Sequence, residues 1–322
     1  MANEIYSKSW WGSGVCDNTV NWGYVYRAYA GCTTAETRFI ISVKTDNAGT
    51  SADNQFTLPW TGTYDVDWGD GTTETSVTDE QTHTYGTSGT YDIKVTATSG
   101  SVLFNNGGDK EKLTDIINWG SCEWSTFIAA FKGCESLTTI TATDLPNLTS
   151  VLSFFAAFNL CKLLTANNTW ANWDTSNATD LSYMFEQARD FNIDISDWDV
   201  SNVTNMRNMF FYARDFNQPV GKWNTANVTN VQAMFRGASD FEQSLADWDI
   251  TSITNMIILF SSASISTANY DATLISWAAQ NAQNNVQPNF GGSKYTLGGA
   301  AEAARNTLIN TYGWTITDGG GI

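Results

Sequence analysis

From residue 37 to about 99 apolar and polar positions alternate, in RFIISV, QFTLPW, TYDVDW and HTYGTSGTYDIKVTATSG. A period of two marks strands with one buried face. Gly69-Asp70-Gly71 is a tight-turn signal between two such runs. The spacing predicts a small antiparallel β-sandwich. Further along, the period changes. In WDVSNVTNMRNMFFYARDFNQPVGK, which starts at Trp198, the residues Met206, Met209, Phe210 and Ala213 fall at i, i+3, i+4 and i+7. That stripe predicts a short helix, with Asn202 or Thr204 able to cap it. The FNQPVGKWN that follows, with Phe216, Val220 and Trp223, reads as a short extended segment.

The stripe recurs. Trp173, Trp198, Trp223 and Trp248 are separated by 25 residues, and Phe185, Phe210, Phe235 and Phe260 keep the same register. Met184, Met209 and Met234 (then Leu259), Ala188, Ala213, Ala238 and Ala263, and Phe191, Phe216 and Phe241 form further columns. One unit cannot bury such a stripe, whereas stacked units can, at ~4.8 Å per strand. The periodicity predicts a solenoid with the Trp and Phe columns as its ladder. WSTFIAAFKGCESLTTI and LPNLTSVLSFFAAFNL look like degenerate upstream copies, Phe131 and Phe155 lying 24 residues apart and Phe185 another 30 on. Four segments result: an aromatic and Gly-rich docking segment at 1–36 with Trp10, Trp11, Trp22, Tyr24 and Tyr26, a β-sandwich at 37–100, the repeats at 101–263 and a cap at 264–322.

Composition narrows the chemistry. With 42% hydrophobic and 15% charged residues in 322, the chain is globular and not disordered. Sixteen Lys plus Arg against 33 Asp plus Glu leave a net charge of −17 with no basic cluster, which argues against nucleic acid or an anionic membrane surface as partner. No apolar run approaches the ~20 residues of a membrane span, so no membrane insertion is expected. The start, Met1-Ala2-Asn3-Glu4-Ile5-Tyr6, has neither the basic nor the apolar region of a signal peptide, and export by the ordinary secretory route is not expected. Cys16, Cys32, Cys122, Cys134 and Cys161 are odd in number and dispersed, which suits buried thiols better than a disulfide framework or zinc. With a single histidine, His83, and no facing pair of acids, no catalytic residue and no cofactor are expected.

Three groups of polar residues invite a site. Asp65, Asp67 and Asp70 alternate as calcium ligands can, but Gly69 stands where an oxygen ligand belongs, and a turn held by Asp side chains is the simpler reading. Asp174, Asp199 and Asp249, with Asn224 between, form a column that must be offset by backbone N–H bonds or a bound cation. Asn147, Asn177, Asn202 and Asn227 each precede x-Thr, and amides repeating one turn or cap bond explain them better than glycosylation does. The charged residues Arg189, Asp190, Arg214, Asp215 and Asp240 form a candidate recognition face: a solvated turn, or a periodic surface for a periodic ligand such as a glycan.

Tyr64 to Thr72 (YDVDWGDGT) with HTYGTSGTYDIKV resembles a PKD-type immunoglobulin-like domain, and the WDVSNVTNMRNMF units resemble the leucine-rich repeats of BspA-type surface proteins. YDATLISWAAQ and SKYTLGGAAEAARNTLINTYGWTITDGG resemble the cap of that family. The resemblance implies a multidomain protein: an all-β Ig-like sandwich, then a right-handed leucine-rich-repeat solenoid with a short helix and a short strand per coil, closed by a helical cap. It implies adhesion and no catalysis. A non-enzymatic virion structural protein is the expectation, a phage fibre, tail appendage or capsid decoration. In it the N-terminal segment binds other virion proteins, the solenoid recognises a host surface protein or glycan, and the chain forms a homo-oligomer. The alternative is a bacterial cell-surface adhesin exported by another route.

Overall fold

The computed structural model describes residues 35–165 and 168–322. Trp10, Trp11, Trp22, Tyr24 and Tyr26, together with Cys16 and Cys32, lie outside the described residues. Thr37–Ile322 is one compact unit.

Eleven strands form three sheets among the described residues. They are β1 (Phe39–Lys44), β2 (Gln55–Leu58), β3 (Trp60–Thr61), β4 (Thr63–Asp67), β5 (Thr73–Thr78), β6 (Gln81–Thr84), β7 (Thr90–Thr96), β8 (Ser99–Val102), β9 (Leu113–Asn118), β10 (Glu123–Trp124) and β11 (Thr139–Ile140). The six-stranded sheet runs β11-β9-β1-β7-β4-β5, a three-stranded sheet β10-β8-β3, and β2 pairs with β6. Alternation sets the register. Ile41 faces Ile93 and Phe39 faces Val95 across β1 and β7, while Val95 also meets Val66 of β4, and all five side chains are buried. A one-residue slip would turn that row to solvent. The β4–β5 turn needs glycine: Gly69 has φ +82°, and a Cβ there would lie 2.7 Å from the Asp92 carbonyl oxygen.

The expected fold class does not form. The six-stranded sheet does not close as a sandwich before residue 100, because β9, from beyond that point, pairs with β1 and β11 pairs in turn with β9. Nor is there a solenoid of helix-plus-strand coils. No sheet extends through the repeats, which hold neither an α-helix nor a named strand beyond β11. Short 3-10 turns at Asn168–Asn172 and Val220–Lys222 interrupt them, and the two α-helices, α1 (Thr267–Ala278) and α2 (Ala300–Tyr312), follow. The likeness to BspA-type leucine-rich repeats and a PKD-type domain is corrected with it.

The backbone hydrogen bonds give the reason. In the unit containing Phe185, the amides of Leu181, Tyr183, Phe185 and Gln187 donate to the carbonyls of Asn205, Arg207, Met209 and Phe211 in the next unit. The intervening amides of Met184, Glu186 and Ala188 close i→i−3 turns onto Leu181, Tyr183 and Phe185. An α-helix needs every interior amide for an i→i−4 bond, and here alternate amides have left. Two residues per unit take left-handed backbone: Tyr183 and Gln187, Asn208 and Tyr212, Ala233 and Gly237, Ile258 and Ser262. Left-handed residues cannot continue a right-handed helix. The i, i+3, i+4, i+7 stripe is nevertheless buried, since Met206, Met209, Phe210 and Ala213 are all inaccessible. Single parallel bridges, Asp180 to Asn205 to Asn230 to Asn255, link the units.

Side chains reinforce these links. Thr179, Thr204, Thr229 and Thr254 each donate both N–H and Oγ1–H to the carbonyl of the preceding unit, at Leu152, Thr179, Thr204 and Thr229. The amides of Asn177, Asn202 and Asn227 reach back to the carbonyls of Thr149, Ser176 and Ser201. Neither Asn202 nor Thr204 therefore caps a helix. Upstream, the units are 27 residues long: Phe131 stacks on Phe158 at 5.2 Å and Phe158 on Phe185 at 6.0 Å. Phe155, placed in this column by the sequence spacing, points outward and is 37% exposed.

Candidate recognition face

Inward, the Phe rings of successive units lie parallel. Phe185–Phe210, Phe210–Phe235 and Phe235–Phe260 are 5.8, 5.8 and 5.2 Å apart and inclined by 7°, 9° and 16°. Phe191, Phe216 and Phe241 form a second stack, joined to the first within each unit, as in Phe210–Phe216 at 3.7 Å. The indole N–H groups reach back to the preceding unit. Trp198, Trp223 and Trp248 donate to the carbonyls of Trp170, Ile195 and Val220. Trp173 stacks on Trp198 at 6.2 Å, but its buried Nε1 has no partner. These columns bury themselves completely and leave nothing for a ligand.

The acidic column is engaged by its own backbone. Asp174, Asp199, Asn224 and Asp249 each accept from the amide two residues on, at Ser176, Ser201, Ala226 and Thr251. Ser201, through its side chain and amide, holds the Asp199 carboxyl below its ordinary value. Asn147 makes the same turn with Thr149, unlike the three other N-x-T asparagines.

In the β-rich part, Asp65 accepts from the Ser76 amide and Asp67 from the Gly69 amide. Arg38 and Lys94 approach Asp67 at 3.9 and 3.7 Å. Asp70 accepts from the Thr72 amide and hydroxyl and meets His83 Nε2 at 2.9 Å. Burial would raise the Asp70 carboxyl, but the bonds from Thr72 and His83 outweigh it and bring it down to about 2. Its neighbourhood is braced, with His83 stacked on Trp68 at 4.9 Å. The three carboxylates point to separate partners, and no group of three metal-ligating side chains occurs among the described residues. Burial pushes the Cys122 thiol up to about 11 and raises Cys134 and Cys161 further, so none of the three offers a thiolate near neutral pH.

Arg189, Asp190, Arg214, Asp215 and Asp240 lie in outer turns on which backbone bonds run unit to unit, from Asp215 N–H to Arg189 and from Asp240 N–H to Arg214. No ion pair joins the five side chains. Asp190 is half-buried and the other four are exposed.

Another outer surface escaped the sequence reading. The left-handed turns carry Tyr183, Phe211 and Tyr212, all half-buried, beside Phe155. The rings of Phe155 and Tyr183 are 5.3 Å apart and those of Phe211 and Tyr212 4.7 Å. Arg207 lies over Tyr183 at 5.6 Å and Arg236 over Phe211 at 5.4 Å, within cation–π range. Gly237 lets the Tyr212 ring lie against the following unit, since a Cβ there would be 2.6 Å from the ring. Arg207 and Arg236 are 29 residues apart, out of register, so a search for periodic columns discards them. The signal available was the departure itself: aromatic and arginine residues at positions where other units carry residues such as Asn208, Ala233, Gln232 and Ser262.

Two clefts lie on the surface of the described residues. One, of about 460 Å³, lies between the last regular unit and α1, lined by Asp247, Asp249, Ser276 and Gln280 among others. The second, of about 270 Å³, holds Asp65, Asp67 and Glu74 beside Arg38 and Lys94.

Among known families, one described as "Mycoplasma protein of unknown function, DUF285" matches residues 150–277. The match covers the stacked units from residue 150 on and most of α1, less than half of the chain, and it is this family, not the leucine-rich-repeat family, that these repeats are similar to. No curated protein and no solved structure matches. No helix among the described residues is long and apolar enough to cross a membrane.

Proposed function

We propose that this protein is a non-enzymatic, adhesive structural protein whose stacked units hold a side-chain surface rigidly toward a host surface protein or glycan. The observation that carries the reading is the division of labour between the inner and outer sides of the stacked units. Every inward ring is consumed by packing and alternate amides lock unit to unit, while aromatic and arginine side chains sit outward without ion-pair partners. Tyr and Arg on a rigid frame are the side chains that binding surfaces favour, because they bury large area at low entropic cost.

The clefts support the same reading. In the smaller one Asp65, Asp67 and Glu74 already accept from Ser76, Gly69 and Trp68, and in the larger Asp249 accepts from Thr251. Catalysis by a carboxylate pair would want two such groups free and opposed across the substrate. A net charge of −17 speaks against nucleic acid as the ligand.

The setting we propose is a phage particle, as a homo-oligomeric fibre, tail appendage or capsid decoration, with segment 1–36 contacting other virion proteins. The aromatic density of that segment supports a covered surface. A bacterial cell surface is the second setting, favoured by the bacterial name in the matching family's description. Mass spectrometry of purified particles, beside surface labelling of intact bacteria, tests both. Presence on either supports recognition, and confinement to the cell interior without particles would sink it.

A further inference from the structure

We propose that the surface built on Phe155, Tyr183, Arg207, Phe211, Tyr212 and Arg236 docks an acidic protein segment that also carries apolar side chains. The proposal rests on the recognition reading above and names the partner class of one face.

Charge complementarity points to an acidic partner. The chain has about twice as many acidic as basic residues, and this face reverses that balance locally: Lys132, Arg207 and Arg236 against Glu186 and Asp180, the latter taken up by Ser182 and Asn205. Glu186 is itself engaged, accepting from the Asn159 amide group at 2.6 Å. Arg207 and Arg236 lie on aromatic rings and join no ion pair, and Arg236 Nε is buried with no hydrogen-bond partner. A guanidinium held on a ring is already ordered, so it loses little freedom when its N–H fork meets a carboxylate.

Apolar exposure separates a protein segment from a polysaccharide. The unit edge that carries Phe155 continues into Leu152, 60% exposed, and the preceding unit, bonded to it through the Ala129 amide and the Phe155 carbonyl, presents Ile128 at 43%. Aliphatic side chains of this size gain from contact with other apolar side chains and gain little from hydroxylated sugar. A partner with both carboxylates and apolar groups covers the two halves at once.

The test uses the full-length protein and a fluorescein-labelled dodecapeptide of alternating Glu and Leu. Its counterparts have Lys in place of Glu or Ser in place of Leu, and sodium alginate serves as the polyuronate. Anisotropy titrations at low and high salt are the readout. The Glu-Leu peptide should bind at least about tenfold more tightly than both counterparts, with affinity falling as salt rises. Arg207→Gln with Arg236→Gln should weaken it at least about tenfold, Leu152→Ser about threefold, and Arg189→Gln with Arg214→Gln less than about twofold. Binding that survives the first pair, or that both arginine pairs reduce equally, overturns the proposal. So does a failure of the Glu-Leu peptide to bind, and preference for alginate reassigns the face to a polysaccharide. None of these outcomes depends on whether the protein is found on particles or cells.

Discussion

The ammonium of Lys112 lies 4.0 Å from the Asp109 carboxylate, and both side chains are wholly buried. Asp109 accepts from the amides of Thr50, Ser51 and Thr57 and from the Ser51 hydroxyl. Lys112 donates to the carbonyls of Ser51, Ala52 and Gln55 and to the Ser51 hydroxyl. The pair therefore pins the loop before β2 to the turn before β9. Although burial opposes it, bonds from Ser51 and Thr57 keep the Asp109 carboxyl below its ordinary value.

Lys112→Met removes one charge and leaves the other buried. A buried ion that loses its partner costs roughly 3–5 kcal/mol, so the urea midpoint should fall sharply, and the double variant Asp109→Leu with Lys112→Met should recover part of the loss. A midpoint unchanged by Lys112→Met would mean that the pair is not buried as described.

Phe210 is packed between Phe185 and Phe235 and against Phe216. Phe210→Ala should cost roughly 3–5 kcal/mol. Hydrogen exchange should show the loss spreading to the amides of Phe185 and Phe210, which bond across to the neighbouring units. Protection confined to wild-type levels on both sides would contradict the stacking.

Ile258 occupies left-handed backbone at φ 52°, where a β-branched side chain costs about 1–2 kcal/mol. Ile258→Asn should raise the melting temperature, whereas Gly237→Ala should lower it by forcing a Cβ against the Tyr212 ring. Opposite signs in two scanning calorimetry traces are the expected outcome.

Asp70 titrates near 2 in the folded protein, against about 3.8 when unperturbed. Its folded value is depressed, so its contribution, reduced by solvent screening at this exposed site, is present above pH ~4 and is lost as the pH falls toward 2. Asp70→Asn should remove that part of the acid dependence and leave the remainder, which chemical denaturation between pH 2 and 5 can resolve.

How much was legible in the sequence follows from what each signal encodes. Alternation along RFIISV and TYDIKV placed strands close to those of β1 and β7, because burial on one face of a strand needs only period two. The 25-residue register named residues that share a column, including Phe185, Phe210 and Phe235, since burial repeated by stacking requires repeated side chains. Helical spacing in Met206, Met209, Phe210 and Ala213 misled, because a run of i→i−3 turns can bury the same stripe as a helix. The aromatic and arginine face lay outside any period and was passed over.

The sequence by itself determined which columns of the regular units are buried, where the repeat recurs and which charges prevail, as these depend on composition and spacing. Tertiary structure alone decided where alternate amides donate, that β9 and β11 join the first sheet, and that Arg207 and Arg236 come to lie on Tyr183 and Phe211. Those choices are made by backbone groups that every residue carries alike, and by contacts between residues 24 or more positions apart, which no local pattern records.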